Sequence, residues 1–169
     1  MIVRPETPSD YEAIDELLRS AFGGAEESQL VRLVRASDNY VPDLALVAEE
    51  NGQVVGHIMF SCITLKNDEE FRVLALAPMA VTPDRQRRGI GGALVEASLE
   101  RADDQREPLV IVLGHPTYYP RFGFEPASRY GIEPPSADIP DAAFMVRRLS
   151  QYSERHHGLV VYPPAFGMA

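Results

Sequence analysis

The apolar positions of this chain follow two rhythms, one helical and one extended. Tyr11, Ile14, Leu17, Leu18 and Phe22 recur at helical spacing, and Gly23-Gly24 closes the run. Thr7-Pro8-Ser9-Asp10 just before it has the residue types of a helix start: Thr7 caps, Pro8 suits the first helical position, and Asp10 stands where a capping-box acid belongs. A second helix is predicted over residues 26–36, with Leu30, Leu33 and Val34 facing inward. Residues 2–4 read as a short strand. The rhythm then changes. Residues 44–50 and 53–65 are strands joined at Asn51-Gly52, a dipeptide that signals a tight hairpin when apolar runs flank it. A further strand is predicted over 71–82, a helix over 88–103, and a short, wholly apolar strand over 109–113, a composition that suits burial on both faces. Residues 118–122 read as a short helix and 124–126 as the start of another strand. Residues 133–140 read as an irregular loop, 143–149 as a late strand, and 158–166 as a final extended segment. The pattern predicts an α+β fold with a mixed, mainly antiparallel central sheet. It also predicts one domain over residues 1–169, of which 128–169 form a C-terminal loop-and-strand extension.

Composition narrows the function. The chain has 169 residues, and 45% of them are apolar, enough for a full core. No apolar run approaches the ~20 residues that cross a bilayer, and the N-terminus lacks a basic head followed by an apolar stretch, so a cytoplasmic protein without a membrane partner is expected. The net charge of −9 argues against nucleic acid as a main partner and mildly favours a cationic substrate such as an amine. The one cysteine, Cys62, makes no internal disulfide, and no Cys/His spacing suits a metal, so none is expected. Cys62 lies in an apolar strand pattern, where packing is the plainer role and nucleophile the sharper one. His156-His157 lie in a polar stretch and are expected at the surface. The oligomeric state is open, a homodimer included.

The sharpest local feature is Met79-Ala80-Val81-Thr82-Pro83-Asp84-Arg85-Gln86-Arg87-Arg88-Gly89-Ile90-Gly91-Gly92. A strand runs into a turn, and the turn opens a helix. Free N–H groups at a helix start favour an anion, and glycine lets a phosphate approach the main chain. Arg85, Arg87 and Arg88 make this the most basic spot in an acidic chain. A dinucleotide fingerprint fails, because Leu94 stands where its third glycine belongs, and the Gly-Lys-Ser/Thr ending of a P-loop is absent.

Gln86-x-x-Gly89-x-Gly91, following Val81-x-Pro83, resembles the coenzyme A signature of the GNAT N-acetyltransferases. The resemblance implies the GNAT fold, an α/β/α sandwich-like arrangement, with acetyl-CoA as the acyl donor. It implies that Gln86, Arg87, Arg88, Gly89, Ile90, Gly91 and Gly92 receive the pyrophosphate, and that Met79, Ala80 and Val81 face the pantetheine arm. The implied reaction is acetyl transfer to a primary amine of a small-molecule, peptide or protein acceptor. A non-catalytic acyl-CoA sensor is the alternative from a different class.

A second stretch, Leu113-Gly114-His115-Pro116-Thr117-Tyr118-Tyr119-Pro120-Arg121-Phe122-Gly123-Phe124, also resembles the family. There a Tyr four residues before a Gly-Phe pair sits near the cofactor sulfur. Tyr119 has that spacing, which implies a contact with the cofactor and a role as general acid toward the departing thiolate. A phenol with a pKa of ~10 is protonated at neutral pH and able to donate. His115 is a second catalytic candidate, as acceptor of the amine's proton or as a substrate contact, beside a purely structural role. Many family members carry a carboxylate base on the strand before the turn. Residues 71–81 contain no Asp or Glu, so the base is open among Glu49, Ser61, His57 and a water chain. The resemblance covers residues 1–126. The tail, with Tyr162-Pro163-Pro164, is similar to one bacterial branch of predicted acetyltransferases.

Overall fold

The computed structural model describes residues 1–167. Among them are nine strands in a mixed, mainly antiparallel sheet and three α-helices, the α+β class that the sequence pattern predicts. The chain gathers into two compact units, Met1–Ser61 with Ala77–Arg101, and Cys62–Leu76 with the residues from Ala102 onward. The strands β3 (Gln53–Lys66) and β4 (Glu70–Val81) and the helix α3 (Ile90–Asp104) pass from one unit into the other.

In the first unit, β1 (Ile2–Pro5) pairs antiparallel with β2 (Tyr40–Glu50), Val3 opposite Ala48. β2 then pairs antiparallel with β3, Ala45 opposite Met59. The Asn51-Gly52 turn has both residues left-handed, at φ 51° and 77°, the geometry that matches the twist of the flanking strands. Pro8 to Asp10 form a single 3-10 turn rather than the first turn of the helix, and α1 (Tyr11–Phe22) follows. The Asp10 carboxylate accepts from the Thr7 N–H at 2.8 Å, so the predicted capping acid does its work one element earlier. Gly23, at φ 74°, stops α1 and donates to the Arg19 carbonyl.

Helix α2 (Glu26–Arg35) buries Ser28, Val31 and Val34. This corrects the expected stripe: Leu33 is 47% exposed, and Val31 takes its place. The Ser28 hydroxyl donates to the Ala25 carbonyl at 3.0 Å. With its polarity satisfied locally, Ser28 enters the core and the buried face rotates away from Leu33. Ile14, Leu17 and Leu18 of α1 are likewise buried, as are Leu44 and Leu46 of β2 and Ile58 of β3.

One carboxylate is taken into this core. Glu6 has a fully buried side chain and receives the Arg35 guanidinium through Nε at 2.9 Å and Nη2 at 2.8 Å. The Tyr40 hydroxyl donates to it at 2.7 Å, and His57 Nε2 lies 2.9 Å away. Burial works to raise the Glu6 pKa, but the hydrogen bonds from Arg35, His57 and Tyr40 outweigh it and hold the group at about 2. Burial, opposed by Glu6, lowers the His57 pKa, so the ring is neutral and donates through Nε2. Its Nδ1 is then a buried acceptor with no hydrogen-bond partner among the described residues.

In the second unit, β4 runs parallel to β5 (Leu109–Leu113), Ala75 opposite Ile111. β5 pairs antiparallel with β8 (Phe144–Arg148), and β6 (Glu125–Pro126) lies on the other side of β8. β9 (Gly158–Val161) pairs antiparallel with the end of β3 and parallel with β7 (Ile132–Glu133). Leu65, Val73, Ile111, Phe144, Val146 and Val160 form the centre of its core. The wholly apolar β5 is buried from Leu109 to Val112, as its composition predicts. Cys62 is buried, and burial pushes its thiol pKa up, which fits packing and not nucleophilic use. His156 is only 7% exposed, against the expectation of a surface position. It packs edge-on against Phe71 at 5.0 Å, long-range company that a local polar stretch conceals. His157 is exposed as expected. No helix among the described residues is long and apolar enough to cross a membrane.

Candidate functional site

The glycine-rich turn lies in the first unit. Val81 ends β4, and the Thr82 N–H still donates to the Val55 carbonyl of β3 at 2.9 Å. Pro83 to Arg85 form a 3-10 turn, closed by the Arg85 N–H on the Thr82 carbonyl at 2.9 Å. Gln86 is extended, and its side-chain amide donates back to the Val81 carbonyl at 3.2 Å. Gln86 therefore ties the turn to the strand it left. Arg87 and Gly89 are both left-handed, at φ 64° and 83°. A turn containing such residues brings successive N–H groups to one concave side. The first bond of α3 runs from the Ala93 N–H to the Gly89 carbonyl at 3.0 Å. The amides of Ile90, Gly91 and Gly92 precede that bond and have no partner within the helix.

The arginines of the turn divide by role. Arg85 is committed to carboxylates, Glu50 at 3.3 Å and Asp84 at 3.7 Å. Arg87 and Arg88 are exposed and form no ion pair with the described residues. Gly89 is exposed, and a Cβ there would meet nothing within 4 Å, so the space over the turn is open. Ahead of the turn, Ala80 is buried while Met79 and Val81 are half-buried at the end of β4. Open space, amides without a partner in the helix and two guanidinium groups without an ion pair among the described residues suit a diphosphate.

Gly56 of β3 seats the helix that follows the turn. A Cβ there would stand 2.9 Å from Leu94 Cδ1 and 3.0 Å from Ile90 Cγ2. The bare backbone at Gly56 thus lets the first turn of α3 lie close on the sheet. A glycine inside an apolar strand is a sequence signal for close approach, and it was available in Val54-Val55-Gly56-His57-Ile58.

The second stretch lies in the second unit. Leu113 ends β5 and is 45% exposed, and the Gly114 N–H donates to the Ala143 carbonyl at 2.9 Å. His115 is exposed, and its carbonyl accepts from the Tyr118 and Tyr119 amides at 3.1 and 3.4 Å. The predicted short helix is a 3-10 turn, Tyr119–Phe122, stopped by left-handed Gly123. Tyr119 is buried between the edges of Tyr118 at 5.1 Å and Phe124 at 5.6 Å. Burial, helped by Tyr118, pushes its phenol up to about 12, so it stays protonated and able to donate. Gly114 makes room for it. A Cβ at Gly114 would stand 3.0 Å from Tyr119 Cδ2 and closer still to Cε2. This glycine carries no motif of its own, and only the folded ring position reveals its part.

Burial sorts the candidates for the open base. His57 and Ser61 have no exposed surface, and His57 is engaged with Glu6. Glu49 is half-buried and lies 3.4 Å from Arg4. Among the described residues no cluster of His, Cys, Asp or Glu is arranged to hold a metal ion.

Comparison with known proteins agrees with the turn. Residues 2–127 match the model of the acetyltransferase (GNAT) domain. The chain is 37% identical over 146 residues to the uncharacterized N-acetyltransferase YjhQ of Escherichia coli K12, covering 84% of this chain and 81% of that protein. It is 34% identical over 151 residues to E. coli YhbS, also an uncharacterized N-acetyltransferase, covering 89% and 88%. The crystal structure of YhbS in complex with CoA superposes with a TM-score of 0.90 at 32% identity, covering 98% of this chain and 91% of the other. A GNAT family acetyltransferase from Brucella melitensis in complex with acetyl-CoA gives 0.80 at 30% identity, covering 98% and 97%. A signature on the right turn, a fold of the right class and relatives matched over most of their length agree: the chain belongs to the GNAT acetyltransferase family.

Proposed function

We propose that this protein transfers an acetyl group from acetyl-CoA to a primary amine of a small-molecule, peptide or protein acceptor. The observation that carries the proposal is the open turn in which left-handed Arg87 and Gly89 precede the amides of Ile90, Gly91 and Gly92, which have no partner among the described residues. The CoA and acetyl-CoA complexes of the E. coli and Brucella relatives support it. In this proposal residues 87–92 hold the pyrophosphate, with Gln86 bracing the turn. Main-chain groups of Met79, Ala80 and Val81 align the pantetheine arm. Attack of the amine on the thioester builds a tetrahedral oxyanion, and its collapse expels a thiolate. Tyr119 gives that thiolate its proton, and burial keeps the phenol charged with one. His115, exposed in the loop that follows β5, accepts the amine's proton or holds the acceptor. Residues 1–169 act as one acetyltransferase domain, and the activity is cytoplasmic.

Two measurements test this. A thermal melt with acetyl-CoA at 100 times its dissociation constant gains about 2.7 kcal/mol of apparent stability. Free-thiol release with a panel of primary amines then reports turnover. No melt shift at millimolar acetyl-CoA removes the donor. A shift without thiol release across the panel leaves an acyl-CoA sensor in place of an enzyme.

A further inference from the structure

The second unit contains a cleft of about 430 Å³, within the size range of small-molecule sites. It is lined at the start of β4, after the end of α3 and along residues 151–156, and shares no residue with the turn, His115 or Tyr119. Three guanidinium groups line it, those of Arg72, Arg106 and Arg155. In a chain of net charge −9 this is a local reversal of sign. Arg72 is partly neutralised, because it donates to the Glu107 carboxylate. Arg106 and Arg155 form no ion pair with the described residues. One carboxylate, Glu70, also lines the cleft, with Lys66 3.7 Å from it.

The main chain that carries these groups is held in place. Arg106 is left-handed at φ 63°, its N–H on the Asp103 carbonyl at 2.9 Å. The Arg155 guanidinium lies 5.3 Å from the centroid of the Phe71 ring. The Asn67 side-chain amide donates to the Arg155 and His157 carbonyls at 3.4 and 2.7 Å, which pins the main chain on either side of His156. His156 Nδ1 accepts the Ser153 N–H at 3.0 Å, so the remaining ring donor is Nε2.

Two exposed guanidinium groups without ion-pair partners among the described residues and one buried imidazole line the same concavity, a set of donors that suits an oxyanion. We propose that this cleft binds a small polyvalent oxyanion, a phosphate- or carboxylate-bearing metabolite, gripped by Arg106 and Arg155 with the His156 imidazole as a further donor. It is a site additional to the one that receives acetyl-CoA, and it stands whether or not acetyl-CoA binds.

The test is calorimetric titration of the full chain with two probes, inorganic pyrophosphate and citrate, in an R87Q/R88Q background that weakens the turn as a competing anion site. One-to-one binding is expected, and adding R106Q/R155Q weakens it by about tenfold or more. R106Q alone weakens it in part and serves if the fuller variant does not fold, as judged by circular dichroism. Binding of pyrophosphate alone assigns a phosphate ligand, and binding of citrate alone a carboxylate. Absence of binding by both probes at about 10 mM overturns the proposal. So does binding that R106Q and R106Q/R155Q leave unchanged.

Discussion

At the scale of single residues, Tyr119 and Gly114 form a pair in which one is the proposed acid and the other makes space for its ring. Replacing Tyr119 by Phe removes the proposed acid while keeping the ring between Tyr118 and Phe124. Turnover is expected to fall by about 10²–10⁴-fold with acetyl-CoA affinity nearly intact, read by thiol release and by the melt shift. Unchanged turnover would take Tyr119 out of the mechanism. Gly114→Ala pushes a methyl group into the same ring. Overpacking of this kind costs about 1–3 kcal/mol, seen as a lower melting temperature, and turnover drops as the phenol is displaced. Combining the two changes separates the effects. If Gly114 acts on turnover through Tyr119, Gly114→Ala lowers turnover little further in the Tyr119→Phe background. Tyr119 was legible from its spacing to Gly123-Phe124. Gly114 was not, because the ring that needs its missing side chain is placed by the fold of residues 115–119.

At the scale of elements, the glycine-rich turn depends on how α3 is seated. Its amides are directed by the first turn of the helix, and that turn rests on Gly56 through Ile90 and Leu94. Gly56→Val is therefore expected to shift the helix start. Stability falls by about 1–3 kcal/mol in denaturant melts, and acetyl-CoA affinity falls with it. Affinity equal to wild type would show that the turn tolerates displacement of its helix. The elements themselves were largely readable. The Asn51-Gly52 hairpin, β5 and the strand–turn–helix order follow from local residue types. The inward face of α2 did not follow, because a self-satisfied Ser28 is accepted in the core while Leu33 is left outside.

At the scale of the whole molecule, stability should depend on pH through the Glu6–Arg35–His57 network. Two groups act in the same direction. His57 has a lowered folded pKa, so below its unfolded value of 6.5 the unfolded chain takes a proton that the folded ring refuses. Glu6 titrates near 4.5 when unfolded and at about 2 when folded, so its contribution is full above 4.5 and is lost as pH falls toward 2. Chemical denaturation at pH values from about 7 to 3 is expected to show midpoints that decline throughout and most steeply at the acid end. A flat profile over that interval would mean that the network holds no differential protonation.

The sequence alone determined the class of fold and the strand–turn–helix order of the glycine-rich turn, and it singled out the turn and Tyr119 as the proposed phosphate site and acid. These rest on interactions between near neighbours: periodicity decides helix or strand, and left-handed Arg87 and Gly89 with the Gly91-Gly92 helix start lie within six residues of one another. Only the tertiary structure decided that Glu6 is buried against residues 29, 34 and 51 positions away, that His156 leaves the surface, and that Arg72, Arg106 and Arg155 line one cleft. Burial and charge pairing are properties of which surfaces meet, and residues far apart in the chain meet only once the strands between them have paired.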